Sequence, residues 1–370
     1  MNLKKRLQLF ETLRDEIRGF LISYPNVDEN NLFYFQLLNA IEQQSIENKW
    51  FIPNFILQSL EAIVEMLDQS GMDQLLSAYP NLNNEHSGKD EKVLVISAGN
   101  IPLAAFHDFF SVLISGNRYV GKLSSEDHLL LPVLASRIIE LDPYFKDRIT
   151  FVESINGYKT ADGKSALHKV IATGSNNSAR YFDYYFSSYP LLLRKNRNSV
   201  AILDGEESLD DLLALSKDVF TYFGMGCRSV SKLYIPTGYS ISRLIEGLLP
   251  GIEAISDHHS YLNNLEYQKT VYLMNSSPFY DAGPFILVEN SSLSSPISVL
   301  YFEYYEDEDQ LLAHLFDHSE HIQAVSTNNL SMRDRINSFQ SRWAVPLGRT
   351  QVPDILSYPD GVDIIQFCNL

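Results

Sequence analysis

The spacing of apolar residues in the first part of the chain is typical of helices. Apolar residues recur three or four positions apart over residues 7–21 and again over residues 57–67. A polar stretch over residues 81–92 follows, with the composition of a loop or linker. This pattern predicts a mainly helical N-terminal region over residues 1–88.

From residue 93 onward the apolar residues form short continuous runs. Such runs are typical of strands that a parallel sheet buries on both faces. The predicted strands are residues 93–97, 118–122, 149–152, 169–172 and 200–203, and the predicted helices between them are residues 103–115, 127–140 and the segment that ends at Phe186. This alternation predicts a parallel α/β domain, which we place at residues 89–208. Parallel sheets bind ligands at the carboxyl ends of their strands, where Asn100, Lys122 and Thr173 lie.

A second region with the same alternation begins near residue 209. Helices are predicted over residues 210–223 and 307–316, and strands over residues 232–236, 270–274, 284–288, 299–302 and 322–326. We therefore predict a second α/β domain over residues 209–345. The C-terminal tail, residues 346–370, is expected to pack back on the body of the protein.

Composition and charge narrow the functional classes. A chain of 370 residues is long enough for two domains with substantial cores. The formal net charge of −17 argues against nonspecific nucleic-acid binding, because a duplex repels an acidic surface. No apolar run approaches the roughly 20 residues that span a bilayer, and acidic residues from Glu11 onward argue against a secretory signal. The two cysteines are far apart and form no disulfide framework, so we expect a cytoplasmic protein.

Cys227 is the residue with the clearest capacity for chemistry. Glycines at positions 224 and 226 precede it and Arg228 follows it. Glycines permit the close approach of a ligand, and a nearby positive charge favours the reactive thiolate. The alternative is a small buried residue, since a cysteine also behaves as a compact hydrophobic side chain.

The histidines are a second candidate for chemistry. If their segment is helical, His314, His318 and His321 share one face, a spacing that can hold a metal ion. No further ligand is evident elsewhere and one helix rarely supplies a whole site, so we predict no metal. Residues 257–264, which contain two adjacent histidines, are either an ordinary polar loop or part of a ligand pocket.

Four short motifs, in this order, resemble the aldehyde dehydrogenase superfamily. They are Ser-Ala-Gly-Asn-Ile-Pro at residues 97–102, Gly-Asn at 116–117 followed by Lys122, Thr-Gly-Ser at 173–175, and Gly-Met-Gly-Cys at 224–227. Residues 227–234 and 358–363 resemble more narrowly the bacterial acyl-CoA reductase family, which includes the fatty acyl reductase of bioluminescence. The resemblance covers roughly residues 90–370.

The resemblance implies an aldehyde-dehydrogenase-like α/β fold with two parallel-sheet domains and an N-terminal helical region. It assigns Cys227 as the nucleophile, and the Asn100 side chain and the Cys227 backbone N–H as donors to the oxyanion. The residues that it assigns to cofactor binding are Ser97, Lys122, Ser125, Thr173, Gly174 and Ser175.

Each of these assignments has a simpler alternative. Asn100 can be the N-cap of the helix that follows it, since asparagine is a favoured cap. Residues 173–175 can be an ordinary turn between a strand and a helix. Lys122 can be a solvated strand end. The order of the motifs ahead of Cys227 favours the functional interpretation.

A departure from the superfamily pattern concerns the base. Aldehyde dehydrogenases that hydrolyse their acyl-enzyme carry a glutamate upstream of the cysteine, in a Glu-Leu-Gly-Gly-Lys-Ser-Pro segment. The matching stretch here, residues 194–200, places Arg194 at that position, and a guanidinium cannot act as a base. This favours reduction of an acyl thioester over oxidation of an aldehyde. Arg194 and its neighbouring cations either attract cofactor phosphates or form a solvated turn.

Two further departures concern the cofactor. Ser125 stands where the superfamily often has a glutamate near the adenosine ribose, which permits the 2′-phosphate of NADPH. The adjacent Glu126 restores the repulsion if the loop shifts, so NADH is the alternative. The nearest match to the Glu-x-Phe-Gly-Pro ribose contact is residues 292–296, which keeps only Pro296.

The sequence thus predicts an NADPH-dependent reductase that converts an acyl thioester to the aldehyde through an acyl-enzyme on Cys227. The alternatives left open are aldehyde oxidation, acyl-phosphate reduction and a catalytically silent acyl-binding subunit. Acyl-CoA, an acyl-carrier protein and a partner acyl-protein ligase are the acyl donors compatible with the resemblance. A homo-oligomer is equally compatible with it.

Overall fold

A computed structural model describes residues 1–84, 89–156 and 167–369, which fold into two units. The first unit comprises Met1–Asn196, Asp354–Tyr358 and the chain from Val362 to its end. The second comprises Arg197–Pro353 and Pro359–Gly361. Part of the predicted linker, residues 85–88, lies outside the described residues.

The first unit is built on a five-stranded sheet. Its strands are β1 (Lys92–Ile96), β2 (Arg118–Lys122), β3 (Ile149–Phe151), β4 (Lys169–Thr173) and β5 (Leu191–Arg194). They are all parallel, in the order β3-β2-β1-β4-β5. The central strand β1 is buried along Val93–Ile96, as its continuous apolar run predicts. Because the chain runs outward from β1 first to one side and then to the other, the sheet has a switch point between β1 and β4.

The helices of the first unit include the whole N-terminal region. They are α1 (Leu3–Ser23), α2 (Leu32–Glu47), α3 (Pro53–Met66), α4 (Gln69–Ala78), α5 (Phe106–Ile114), α6 (Leu130–Leu141) and α7 (Asn176–Phe186). The apolar face of α1 is buried, and the Phe10 ring lies 4.8 Å from that of Phe110 and 6.4 Å from that of Phe109 on α5. The N-terminal helices therefore share one hydrophobic core with the sheet.

The end of the chain returns to the first unit. A short helix, Ile364–Asn369, buries Ile364, Ile365 and Cys368. The carbonyl oxygen of Cys368 accepts hydrogen bonds from Asn117 Nδ2 at 2.9 Å and from Lys169 Nζ at 2.8 Å. Two side chains at the sheet thus satisfy a carbonyl at the C-terminal end of this helix, which the helix itself leaves unpaired.

The second unit is built on a seven-stranded sheet. Its strands are β6 (Asn198–Ile202), β7 (Val230–Pro236), β8 (Tyr280–Asp281), β9 (Ile286–Glu289), β10 (Val299–Tyr305), β11 (Ile322–Ser326) and β12 (Ala344–Val345), in the order β12-β11-β6-β7-β10-β9-β8. All neighbours are parallel except the pair of β8 and β9. Its helices are α8 (Leu209–Phe220), α9 (Ile241–Leu248), α10 (His259–Met274), α11 (Glu308–Asp317) and α12 (Leu330–Phe339), so that the C-terminal helix of the first unit is α13.

The buried carboxylate of Asp218 on α8 fixes the chain that follows β12. It accepts hydrogen bonds from the Ser326 hydroxyl, the Gly348 N–H, and both the N–H and the hydroxyl of Thr350, at 2.7–2.9 Å. Burial raises the pKa of Asp218, and the four donors oppose that shift. Part of the predicted tail is therefore bound within the second unit.

Nine of the predicted strands are present within three residues at each end, and one prediction is wrong. Residues 270–274 are the last turns of α10 and not a strand. Their β-branched and aromatic residues favour a strand locally, but a helix that begins at His259 continues through them. Tyr261 and Leu265 are the residues that this helix buries, and Leu273 and Met274 are exposed.

The predicted domain boundaries also need correction. Strand β6, which we assigned to the first domain, pairs with β7 and β11 and belongs to the second unit. Strand β5 was not predicted. The predicted helix at residue 103 begins only at Phe106, because Leu103 has a φ of 57° and lies in a turn. None of the helices in the described ranges is both long and apolar enough to cross a membrane.

Candidate active site

Three of the predicted cofactor residues lie together at the carboxyl ends of neighbouring strands in the first sheet. Ser97 follows β1, Lys122 ends β2 and Thr173 ends β4, and β1 is hydrogen-bonded to both of the other strands. The N–H of Ser97 donates to the Lys122 carbonyl at 3.2 Å, which extends the pairing to the strand ends. The predicted cofactor residues therefore stand at the switch point of the sheet, where doubly wound sheets bind nucleotides.

Asn100 lies in the turn after β1 and is exposed. The N-cap of α5 is Ala105, and no side chain caps that helix, so the alternative role of Asn100 as its cap is wrong. Gly99, beside it, meets Ser124 closely: a Cβ atom at position 99 would lie 2.4 Å from Ser124 Oγ. The loop that follows β2 therefore leaves no room for a side chain at position 99, where the superfamily has a tryptophan.

Asp127 joins this turn to the loop that follows β2. Its buried carboxylate accepts hydrogen bonds from the backbone N–H groups of Leu103 and Ala104. Burial raises the pKa of Asp127 to about 7, against the opposing effect of these two donors. The conformation of the Asn100 turn therefore depends on a carboxyl group that titrates near neutral pH.

Replacement of Asp127 by asparagine should remove a loss of folding stability that the wild type shows as the pH rises. In the unfolded chain this carboxyl ionises near its ordinary pKa of 3.8, whereas in the folded protein it keeps its proton up to about pH 7. Its contribution to stability is therefore full below pH 3.8 and is lost as the pH rises to about 7. The variant should gain roughly 2–4 kcal/mol in free energy of unfolding relative to the wild type from acid to alkaline pH. Urea unfolding at several pH values measures this difference, and a flat difference would contradict the prediction.

The N-terminal helix α2 holds the loop that carries Ser125. The fully buried side chain of Gln44 donates to the Glu126 carbonyl at 3.0 Å and accepts from the N–H groups of His128 and Leu129 at 3.3 and 3.2 Å. Asn48 donates to the same Glu126 carbonyl at 3.2 Å. The backbone at Glu126 is thus fixed by two side chains, which opposes the loop shift that would bring its carboxylate to the position of Ser125.

Residues 173–175 form a turn between a strand and a helix. Ser175 is the N-cap of α7, and its hydroxyl accepts a hydrogen bond from the Ser178 N–H at 3.3 Å. Gly174 permits close packing, since a Cβ atom there would lie 2.9 Å from that of Ser178. The geometry of this motif is therefore that of an ordinary turn between a strand and a helix. The N-terminus of a helix at a strand end is also suited to binding a phosphate. The Lys122 ammonium, at the end of β2, donates to the Leu123 carbonyl at 2.7 Å. A helix N-terminus and an ammonium group are chemically suited to the phosphates of a nicotinamide dinucleotide.

Cys227 lies in the second unit, on the turn between α8 and β7, and is exposed. The backbone of the segment that leads to Cys227 is strained, because Tyr222, Phe223 and Gly224 have φ angles of 57°, 55° and 74° in succession. A non-glycine residue in this region costs on the order of 1–3 kcal/mol. Buried packing holds the strained turn, with the Phe223 ring 4.5 Å from that of His258. The alternative of a small buried residue is wrong for Cys227 and describes Cys368 instead.

Arg194 is buried in an ion pair and does not lie in a solvated turn. It ends β5 in the first unit, where its Nη1 donates to Asp108 Oδ2 on α5 at 2.8 Å. The two residues are only 5% and 4% exposed. The nearby Arg197 is in the second unit and pairs with Asp360 at 3.2 Å. Two of the cations that were candidates for binding cofactor phosphates thus form ion pairs with carboxylates.

The three histidines with the predicted helical spacing do not lie on one continuous helix. His314 lies on α11, His318 is its C-cap, and their rings are 4.3 Å apart. Within residues 1–84, 89–156 and 167–369, no group of three or more His, Cys, Asp or Glu side chains could hold a metal ion. Helix α10 begins at His259, within residues 257–264, with the His258 side chain as its N-cap. The weak ribose-contact match, residues 292–296, lies between β9 and β10.

Comparison with known proteins gives one family. The family model described as acyl-CoA reductase (LuxC) matches residues 31–243, which is more than half of the 370 residues. No curated protein matches the sequence.

Solved structures of similar fold are aldehyde dehydrogenases and related oxidoreductases. Aldehyde dehydrogenase 21 from Physcomitrella patens, in complex with the reaction product succinate, has a TM-score of 0.64 and 12% identity, over 98% of this chain and 82% of that one. A putative methylmalonate-semialdehyde dehydrogenase from Sinorhizobium meliloti 1021, complexed with NAD, has a TM-score of 0.60 and 16% identity, over 95% and 78%. An oxidoreductase from Marinobacter aquaeolei has a TM-score of 0.64 and 13% identity, over 96% and 79%. At these identities the likeness shows the fold, which is that of the aldehyde dehydrogenases.

Proposed function

Because the chain belongs to the acyl-CoA reductase (LuxC) family, we propose that it reduces a fatty acyl-CoA to the aldehyde with NADPH through an acyl-enzyme on Cys227. Family and fold together make it an oxidoreductase of aldehyde and acyl groups. The observation that carries the finer proposal is the exposed Cys227 thiol, which a strained turn presents after α8.

The chemistry at Cys227 is acyl transfer followed by release. The thiolate attacks the thioester carbonyl carbon, a new C–S bond forms, and the bond to coenzyme A breaks, so that CoA leaves as a thiolate that takes up a proton. Asn100 and the Cys227 N–H, by resemblance, donate to the oxygen that becomes negative. NADPH, when bound, supplies the hydride that converts the acyl carbon to the aldehyde level. Cys227 then leaves as the thiolate and the aldehyde is released.

The fate of the acyl-enzyme separates reduction from hydrolysis. A hydrolytic relative needs a carboxylate that activates water, and the residue matched to it here is Arg194, which is buried against Asp108 in the first unit. A guanidinium cannot take a proton from water near neutral pH. The acyl group on Cys227 is therefore expected to await hydride, which favours thioester reduction over aldehyde oxidation.

The residues proposed to hold the cofactor lie at the ends of β1, β2 and β4 and in the turns that follow these strands. They are Ser97, Lys122, Ser125, Thr173, Gly174 and Ser175. The fixed backbone at Glu126 supports a stable position for Ser125, whose hydroxyl does not repel a 2′-phosphate. This supports NADPH as the preferred cofactor, with NADH as the weaker one.

A substrate panel tests the function and the cofactor preference together. NADPH oxidation should depend on acyl-CoA, vary with chain length and exceed NADH oxidation. Ser125→Glu should raise the KM for NADPH about tenfold, because one carboxylate opposite the 2′-phosphate costs roughly 1.4 kcal/mol, and should leave the KM for NADH nearly unchanged.

The matched control adds the same charge elsewhere in the first unit. Ser70→Glu, on the exposed face of α4, should leave both KM values unchanged. Oxidation of NADPH with acyl phosphates but not with acyl-CoA, or reduction of NADP by aldehydes alone, would overturn the function. Equal loss of affinity for both cofactors in Ser125→Glu would overturn the assignment of that residue.

A further inference from the structure

The two peptide groups that flank Cys227 are each held by a serine. On the N-terminal side, the Ser229 N–H donates to the Gly226 carbonyl at 2.9 Å, and the Gly226 N–H donates to Ser229 Oγ at 3.2 Å. On the C-terminal side, the Ser199 hydroxyl donates to the Cys227 carbonyl at 3.0 Å. All of these residues belong to the second unit.

The bond to the Gly226 carbonyl fixes the direction of the Cys227 N–H. In a planar trans peptide, the carbonyl of one residue and the N–H of the next point in opposite directions. Because the backbone N–H of Ser229 binds the Gly226 carbonyl from within the turn, the Cys227 N–H is directed away from that hydrogen bond. The Ser229 hydroxyl adds a second hold on Gly226, since it accepts from the Gly226 N–H. Gln351 supports the arrangement, since its Nε2 donates to Ser229 Oγ at 3.1 Å.

The hydrogen bond from the Ser199 hydroxyl fixes the peptide group on the C-terminal side of Cys227. Ser199 lies on β6, which is paired between β11 and β7, and is fully buried. A hydroxyl on a rigid strand therefore sets the orientation of the Cys227–Arg228 peptide. With both flanking peptides held, the φ and ψ angles of Cys227 are restricted, and so is the direction in which its thiol leaves the backbone.

We propose that Ser199 and Ser229 are positioning residues that align the Cys227 thiol and N–H for acyl transfer. The inference rests on the proposed function, in which the thiol attacks a carbonyl and the N–H stabilises the resulting oxyanion. Loss of one oxyanion donor costs about 10²–10³-fold in kcat, and a displacement of about 1 Å costs about 10²-fold. The serines touch no substrate in this scheme and act through the backbone of Cys227.

The test compares two reactions of the same thiol in the wild type, Ser199→Ala, Ser229→Ala and Ser199→Thr. The first is acylation by p-nitrophenyl acetate, in which Cys227 displaces p-nitrophenolate and becomes an acetyl thioester, read as a burst of absorbance. The second is alkylation by iodoacetamide, which needs no oxyanion donor. Ser216→Ala is the control, because Ser216 is also a buried serine of this unit whose hydroxyl donates to a backbone carbonyl, that of Leu213.

Acylation at saturating ester should fall about 10- to 100-fold in Ser199→Ala, while alkylation changes less than about threefold. The fall should be smaller in Ser229→Ala, which keeps the N–H that binds the Gly226 carbonyl and loses only the hydroxyl that binds the Gly226 N–H. Ser199→Thr, which keeps the hydroxyl, should restore acylation, and Ser216→Ala should behave as the wild type. Acylation within about threefold of the wild type in both alanine variants would overturn the proposal, as would a parallel loss of alkylation. If the wild type reacts with the ester but with no acyl-CoA, the proposed function fails and the two rates still decide the role of the serines.

Discussion

Replacing Cys227 by serine is expected to abolish the acyl-enzyme and to lower the rate of aldehyde formation by at least about 10³-fold. The hydroxyl has nearly the shape of the thiol, so the strained turn before it should be retained. It remains protonated at neutral pH, however, and no carboxylate stands at the matched position upstream to activate it. Intact-protein mass measurement after mixing with acyl-CoA detects the acyl group, and NADPH oxidation measures turnover.

Cys368→Ala is the matched control for this experiment. Cys368 is the other cysteine of the chain, is fully buried, and burial raises the pKa of its thiol to about 12. It therefore stays protonated and inaccessible, and its replacement should leave the acyl label in place. Undiminished labelling of Cys227→Ser would exclude the proposed intermediate.

Arg194→Ala is expected to destabilise the protein by about 3–5 kcal/mol in free energy of unfolding. The substitution leaves the Asp108 carboxylate buried at 4% exposure without the guanidinium that binds it at 2.8 Å. A buried charge that loses its partner keeps the cost of its desolvation without the attraction that offsets it. Urea unfolding at neutral pH measures the loss.

A double variant distinguishes this cause from a simple loss of volume. Arg194→Met with Asp108→Leu removes both charges and should recover most of the stability, since apolar pairs often replace buried ion pairs without loss. Arg18→Ala, which breaks an exposed ion pair with Asp15 on α1, should cost less than about 1 kcal/mol. The assignment fails if Arg194→Ala is as mild as Arg18→Ala, or if the double variant is no better than Arg194→Ala.

Much of the fold was accessible from the sequence because burial on both faces of a sheet leaves a continuous apolar run. Val93–Ile96 is such a run, and it is the central strand of the first unit. Residues 270–274 have a similar composition, yet they continue a helix that begins at His259, eleven positions before Thr270. The sequence also could not show that β6 belongs to the second sheet, because the apolar pattern of a buried parallel strand is the same in both sheets.

The candidate site was accessible only in part. Cys227 and the strand-end residues stand out because their residue types are unusual at those points of the pattern. Gln44, Asp127, Ser199 and Ser229 were missed, because the type of a polar residue and its neighbours in the sequence give no sign of its hydrogen-bond partner in the fold. Gln44, for example, binds residues 82–85 positions away in the chain. Such contacts depend on how helices and loops pack, and no local pattern predicts them.

The return of α13 to the first unit determines the order in which the protein can be completed during synthesis. Ile364, Ile365 and Cys368 belong to the same hydrophobic core as Phe10 and the N-terminal helices. Among the described residues, the second unit, by contrast, has all of its strands and α-helices by residue 345. On the ribosome, the unit whose synthesis begins first therefore acquires its full core last, after every strand of the other unit has been made.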